Sequence, residues 1–353
     1  MTERYKMFTV AGLGALLATF ETSSVNVALP TLAKHFNINL DVVSWVVLSY
    51  TLVIAPTLLL FSALASRIGF RKIYYTGFGL FSLGSLVAGF SNDFTFLIIG
   101  RIIQALGASM NISLGPAVIT HAFPKGERGK GMGMIAMLVG AGLLMGPLLG
   151  GYLVTINWRY IFLAPLALSF WPFLVLPKIH AWREANNPDK HISPLSGVIL
   201  FVAIGAFLYA TKTINNPALG ADLMYTLFAL SALATVVFVW RERNPEKHLI
   251  GYKLFRNRNF TISMSLMFLS FVCTSSVLVL VPFYVERQLG MSARQAGMFL
   301  AITPVLMFFF ASVAGRVADK IGARLPGILG LGILAAGVYL LRNLTPTDGV
   351  WDC

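Results

Sequence analysis

Gly140-Ala141-Gly142-Leu143-Leu144-Met145-Gly146-Pro147-Leu148-Leu149-Gly150-Gly151 is a glycine-rich apolar run with one proline in its middle. Gly142, Gly146 and Gly150 recur every fourth residue in an apolar run, so on a helix they share one face and leave it bare of side chains. A second helix can then approach closely. Pro147 removes a backbone donor and favours a bend, which a membrane helix tolerates when neighbours or water satisfy the freed carbonyl. A bare, bent face suits a seam inside a transporter, and the same spacing also occurs where two membrane helices simply dimerise.

Working outward, the 353 residues are 57% hydrophobic and 12% charged, against about 25% charged in an ordinary soluble domain. The chain is a polytopic membrane protein by composition. Its formal charge is +13, which in a soluble protein would suggest nucleic acid; the basic residues instead fall in alternate loops. Cys273 lies in an apolar run and Cys353 is the last residue, so no disulfide framework or metal site follows from them. The five histidines, His35, His121, His180, His191 and His248, lie in or beside polar loops with no i, i+4 pair. No metal is expected.

Eleven apolar runs are long enough to cross about 30 Å of hydrocarbon: 8–32, 44–65, 73–91, 94–120, 131–154, 160–177, 194–212, 222–240, 261–285, 296–318 and 325–342. The first is too long for a signal-peptide core and carries Glu21 in its middle, so it reads as a mature helix. Twenty Lys and Arg fall on the side of the N-terminus and six on the other. The positive-inside rule therefore predicts a cytoplasmic N-terminus in the plasma or inner membrane. Topology accounts for the basic balance, and nucleic acid is not an expected partner.

An internal repeat joins 62–71, SALASRIGFR, to 315–324, GRVADKIGAR. Ser62 aligns with Gly315, Ser66 with Asp319, Arg67 with Lys320, Gly69 with Gly322, and Arg71 with Arg324. Repeated bundles are how many secondary transporters alternate access around a midplane site. The expected organisation is all-α: a six-helix bundle over 1–180, two linker spans within 181–258, and the first three helices of a second bundle over 259–353. The linker spans carry no embedded charge and read as lipid-facing additions outside the transport pathway.

Glu21 is the one carboxylate expected inside a span. An ionised group costs several kcal/mol there unless hydrated or paired, so it is a functional candidate by default. Low dielectric works against its charged form, the condition for a group that must bind and release a proton. A structural carboxylate that only anchors a neighbouring helix is the alternative. Thr22, Ser23, Ser24 and Asn26 beside it would line a wet cavity. Arg101 is the matching cation, and Arg101, Gln104, Ala108 and Asn111 form one helix face. Arg101 and Glu21 lie at overlapping depths, roughly 10 and 16 Å from the outer ends of their helices, so a direct or water-bridged pair is expected to be within reach.

Several of these stretches resemble drug:proton antiporters with fourteen spans, of the major facilitator superfamily. Gly142 to Gly151 is similar to the antiporter signature of the fifth helix. Residues 21–30, ETSSVNVALP, resemble the L-D-x-T-V-V-N-V-A-L-P motif of the first helix, with Glu21 where the family usually has Asp. Trp45, Tyr50 and Leu52 resemble the second-helix pattern. Arg101, Gln104 and Gly107 resemble the R-x-x-Q-G-x-G motif of the fourth helix, with Ala105 replacing a glycine. Trp158 to Phe162 is similar to the W-R-W-I-F start of the sixth.

The resemblance implies a two-bundle major facilitator fold and a carrier exporting amphipathic small molecules, cationic or neutral, in exchange for protons. It assigns proton coupling to Glu21 and Arg101, and a substrate cavity to Thr22, Asn26, Tyr50, Gln104 and Asn111. Gly142, Gly146, Pro147, Gly150 and Gly151 would be the antiporter seam. Arg67, Gly69, Arg71 and Lys72, with Gly315, Asp319, Gly322 and Arg324, would be gating loops. No cofactor is implied, the proton gradient being the energy source, and the candidate partners are a small-molecule substrate, protons, the bilayer and a periplasmic adaptor protein. Two departures stand out: Ser62 and Ser66 replace the family's Gly and Asp in the first gating loop, which would alter gating, and three helices are lacking after residue 342, which is expected to leave the 353-residue chain unable to catalyse coupled efflux alone. A carrier for a specific metabolite and a non-transporting scaffold or sensor are the rival readings. No nucleophile elbow, phosphate loop or metal-ligand spacing argues for an enzyme.

Overall fold

The computed structural model describes residues 3–179, 182, 194–214, 221–243, 252–287 and 293–341; His180, His191, His248 and the basic residues Arg183, Lys190, Lys247 and Arg342 lie outside them. Among the described residues there is helix and no strand. The helices are α1 (Glu3–Phe36), α2 (Leu40–Val43), α3 (Trp45–Ile68), α4 (Phe70–Gly89), α5 (Phe94–Ser113), α6 (Gly115–Ala122), α7 (Arg128–Met145), α8 (Gly151–Ile156), α9 (Tyr160–Ser169) and α10 (Trp171–Val175), then α11 (Pro194–Thr213), α12 (Ala221–Glu242), α13 (Arg258–Arg287), α14 (Ala293–Ile321) and α15 (Arg324–Leu341). Over its described residues each of the eleven apolar runs is helical but for a turn residue or two, mostly at its ends. Among the described residues nine helical spans are long and apolar enough to cross a membrane, with α2–α3, α5–α6, α7–α8 and α9–α10 each joined into one, and α4 and α15 are not among them. Gly77, Gly79, Ser82, Gly84 and Ser85 dilute α4, and α15 is short.

Contacts divide the chain into two units, Met1–Ala122 with Gly142–Tyr252, and Phe123–Ala141 with Lys253–Cys353. In the first, α1 is the central rod. Its buried residues Gly14, Leu17, Ala18, Glu21, Ser24, Val25, Ala28 and Leu32 follow the three-and-four spacing of one helix face. The helices α4 and α5 form a tight hairpin because glycine lines it: a Cβ on Gly100 would stand 2.6 Å from the Ala88 nitrogen, and one on Gly107 would meet the backbone of Gly77 and Phe81. Asp93 accepts from the Phe96 N–H at 3.0 Å and starts α5. At the α1–α2 corner an apolar cluster of Val25, Ala28, Leu32, Val46, Leu97, Trp158 and Phe162 closes the packing.

The linker helices α11 and α12 pack on each other, with Ser231 Oγ donating to the Ala203 carbonyl at 2.8 Å, and α11 packs on α3. In the second unit, the start of α7 lies along α14. Gly129 and Gly315 face each other so closely that a side chain on either would strike the other's carbonyl. Gly69 and Gly322, paired in the sequence repeat, share a left-handed backbone, φ 92° and 85°. Only glycine adopts this freely.

Candidate functional site

The centre of the first unit is an ion pair sealed from solvent. Arg101 Nη1 donates to Glu21 Oε1 at 2.9 Å, and both side chains are at most 1% exposed. Removing two charges from water costs several kcal/mol each, so such a pair persists only if further hydrogen bonds help carry it. Arg101 supplies them: Nη1 also donates to Gln104 Oε1 at 2.6 Å, and Nε donates to the Val46 carbonyl at 3.0 Å. Its guanidinium lies 4.1 Å from the centroid of the Tyr50 ring, a cation–π contact in a dry site. Gln104 Nε2 passes the network to Ser85 Oγ at 2.8 Å. The helices α1, α3 and α5 thus meet at one guanidinium, and α4 joins the network through Gln104.

The site is not fully satisfied. Glu21 Oε2 is buried with no hydrogen-bond partner among the described residues. The Tyr50 hydroxyl faces that of Thr22 without a formed hydrogen bond, and Thr22 Oγ1 donates instead to the Ala18 carbonyl at 2.8 Å.

Of the residues expected to line a cavity, Tyr50 and Gln104 stand in this network and Thr22 borders it. Asn26 is exposed. Asn111 is buried and wedged between two helices: a Cβ on Gly14 would stand 2.8 Å from the Asn111 Cβ, and one on Gly77 would collide with Asn111 Oδ1. Sequence reasoning missed Ser85 and the Val46 carbonyl. Ser85 sits among the small residues of α4, a pattern that signals close helix approach; a backbone carbonyl carries no side-chain signal.

The glycine seam lies directly on the helix that carries Glu21. Cβ atoms on Gly142 and Gly146 would collide with the hydroxyls of Thr19 and Ser23, and one on Gly150 would meet the Ser24 Cβ at 2.6 Å. Ser23 Oγ donates across the seam to the Gly142 carbonyl at 3.1 Å. Gly146–Gly150, with Pro147 inside it, forms a π-helical turn, one of the known origins of a helix bend. Gly151 is loose by comparison, its nearest contact being Val27 Cγ1 at 3.8 Å.

At the repeat loops, Arg67 and Lys72 are exposed and the Arg71 guanidinium lies 5.8 Å from the Tyr75 ring centroid. Ser66 Oγ turns back to the Ala63 carbonyl at 2.7 Å. Its repeat counterpart Asp319 accepts from the N–H groups of Gly129 and Lys130, each at 2.7 Å. These are unpaired donors at the first turn of α7, where the helix dipole also favours a carboxylate. Lys320, Gly322 and Arg324 are exposed. Among the described residues no group of three or more metal-ligating side chains could hold a metal ion.

Long apolar helices packed through glycine around an enclosed carboxylate–guanidinium pair define a multi-pass helical membrane protein built about a buried charge network. The chain belongs to the Major Facilitator Superfamily, whose family model matches residues 11–351. It is 31% identical to the riboflavin transporter RibZ of Clostridioides difficile, over 92% of this chain and 70% of that protein. It is 30% identical to the multidrug resistance protein Stp of Mycobacterium tuberculosis, over 94% of this chain and 62% of that protein. With the lincomycin resistance protein LmrB of Listeria monocytogenes it shares 27% identity over 96% of this chain and 71% of that protein. In fold it is similar to the proton:xylose symporter XylE, TM-score 0.56 at 18% identity, over 90% of this chain and 70% of that one. It is likewise similar to the peptide transporter POT, TM-score 0.57 at 16% identity, over 91% and 69%. The family and these relatives are those of transporters and not of enzymes. The chain spans roughly two thirds of the length of these relatives.

Proposed function

We propose that this chain is the larger part or the whole of a proton-coupled antiporter that exports amphipathic small molecules, with Glu21 as the proton-binding carboxylate and Arg101 as its counter-ion. The single observation that carries the reading is the sealed carboxylate–guanidinium pair at 2.9 Å. An intramembrane ion pair is costly to maintain, and protonating Glu21 releases Arg101, so proton occupancy and helix positions become linked. Substrate enters in competition with the proton. The seam of Gly142, Gly146 and Gly150 keeps α1 in register while this happens. Asp319 on the first turn of α7 acts as a latch of the second repeat loop, and Ser66 leaves its counterpart without a carboxylate. The names of Stp and LmrB support drug-like substrates.

The membrane orientation with a cytoplasmic N-terminus, the plasma or inner membrane, the division at 180 and 258, the proton gradient as sole energy source and an adaptor partner belong to this proposal. A second reading, a carrier for a specific metabolite, is favoured by the name of RibZ, at 31% identity. The test is transport into proteoliposomes driven by an imposed pH gradient, with a panel of cationic dyes and riboflavin, by this chain and by this chain extended with the three further helices named above. Glu21→Gln is expected to keep ligand binding and lose gradient-driven accumulation. Accumulation that survives Glu21→Gln would assign the proton to another group.

A further inference from the structure

The helix α11 touches the ion pair through one intermediary, the first turn of α3. Lys212, near the end of α11, donates to the Asp41 carbonyl at 3.2 Å and to Ser44 Oγ at 3.3 Å. Its Nζ also lies 4.2 Å from the centroid of the Trp45 ring, and the Tyr209 ring, one turn earlier on α11, stands 5.6 Å from the same ring. A cation beside the last carbonyls of the short helix α2 complements their partial negative charge, and Asp41 is the acidic group beside it. Ser44 Oγ itself donates to the Asp41 carbonyl at 2.6 Å, so the corner is a closed set of contacts.

The residue after Trp45 is Val46, fully buried, whose carbonyl receives Arg101 Nε. One turn on is Tyr50, whose ring lies under the guanidinium. The same turn of α3 is therefore gripped from one face by Lys212 and Tyr209, and from the other by Arg101. A shift of that turn by even a fraction of a hydrogen-bond length changes the seat of the guanidinium, and with it the attraction Arg101 offers Glu21.

We infer that α11 is a positioning element of the buried ion pair: Lys212 and Tyr209 clamp the Ser44–Tyr50 turn, and that turn sets where Arg101 stands. The linker pair α11–α12 is then part of the coupling apparatus and not an inert lipid-facing addition. The inference rests on the proposed role of Glu21 for its transport readout and stands on its own for its stability readout.

The experiment compares wild type, Lys212→Ala, Lys212→Arg and Trp45→Leu, each made in the whole chain extended with the three further helices used in the transport test. The pH profile of gradient-driven dye accumulation is expected to shift by about half a unit or more in Lys212→Ala and Trp45→Leu. Lys212→Arg, which keeps the cation over the ring, restores the wild-type profile. Trp45→Leu leaves both hydrogen bonds of Lys212 in place, so it serves where Lys212→Ala fails to insert. Unshifted profiles in variants that still transport would overturn the inference. If Glu21→Gln itself keeps gradient-driven transport, the proposed function fails and the melting temperatures of purified Lys212→Ala, Glu21→Gln and the double variant decide instead. Losses that depart from additivity uphold the clamp, and strictly additive losses refute it.

Discussion

Arg101 ties together three helices, α1, α3 and its own α5, through three hydrogen bonds and a ring face, so its loss and the loss of Glu21 are unequal events. Arg101→Ala strands a buried carboxylate and leaves Gln104, the Val46 carbonyl and the Tyr50 ring without their donor, at a cost of about 3–5 kcal/mol. Glu21→Gln keeps an oxygen acceptor for Arg101 Nη1 but leaves the guanidinium charge uncompensated in the same dry site, so it too is destabilising. In the double variant no charge is stranded on Glu21, so Arg101→Ala is expected to lower the melting temperature less in the Glu21→Gln background than in wild type. Thermal melts of the four proteins in detergent check this, and equal losses in both backgrounds would mean the two groups act independently. Glu21, Arg101 and Gln104 were legible from type and spacing, because a charge in an apolar run is costly and i, i+3 places Arg101 and Gln104 on one face. Asn26 follows Glu21 by five residues, which turns it away from the buried stripe of α1 and leaves it exposed. Asn111 was legible as buried and polar, but whether it faces a cavity or fills the gap beside Gly14 and Gly77 depends on how three helices are rotated, which no local pattern encodes.

Among the helices, the seam residues differ in what they tolerate. Gly146→Ala must displace Ser23 and the Ser24 backbone, an overpacking that costs roughly 1–3 kcal/mol. Gly151→Ala meets only Val27 Cγ1 at 3.8 Å and is expected to be nearly neutral. Melting curves of the two variants separate the motif into a packed half and a free end; a larger loss at Gly151 would contradict the packing described. The four-residue period made Gly142, Gly146 and Gly150 legible as one face, and Pro147 made a bend legible. The partner helix was not, since a bare face names no neighbour. The repeat was readable down to its backbone, because Gly69 and Gly322 sit where the chain needs positive φ. That Asp319 caps α7 while Ser66 bonds its own helix was readable only as a difference in residue type.

Across the chain, the eleven apolar runs and their helices agree to within a few residues at each end, because hydrocarbon thickness and the hydrogen-bonding needs of the backbone leave helix as the only open spanning form. The proposed orientation makes a direct forecast. In a chain with Cys273 and Cys353 replaced, a cysteine at Ile214 is expected to react with an impermeant thiol reagent added outside intact cells, and one at Arg243 is not. The reverse pattern would invert the topology. The role of the linker helices was least legible: α11 and α12 read as additions because they carry no embedded charge, and the contacts of Lys212 with α2 and α3 arise from packing between segments about 170 residues apart.

The central claim is that substrate and proton compete at Glu21, and proton release on binding measures it without a membrane or a gradient. Purified protein in weakly buffered detergent solution, with a pH-indicator dye, is titrated with a cationic dye substrate near the midpoint of its pH profile. Wild type should acidify the solution as ligand binds, and Glu21→Gln should bind with no acidification. Binding to wild type without proton release, or undiminished release from Glu21→Gln, would contradict the claim.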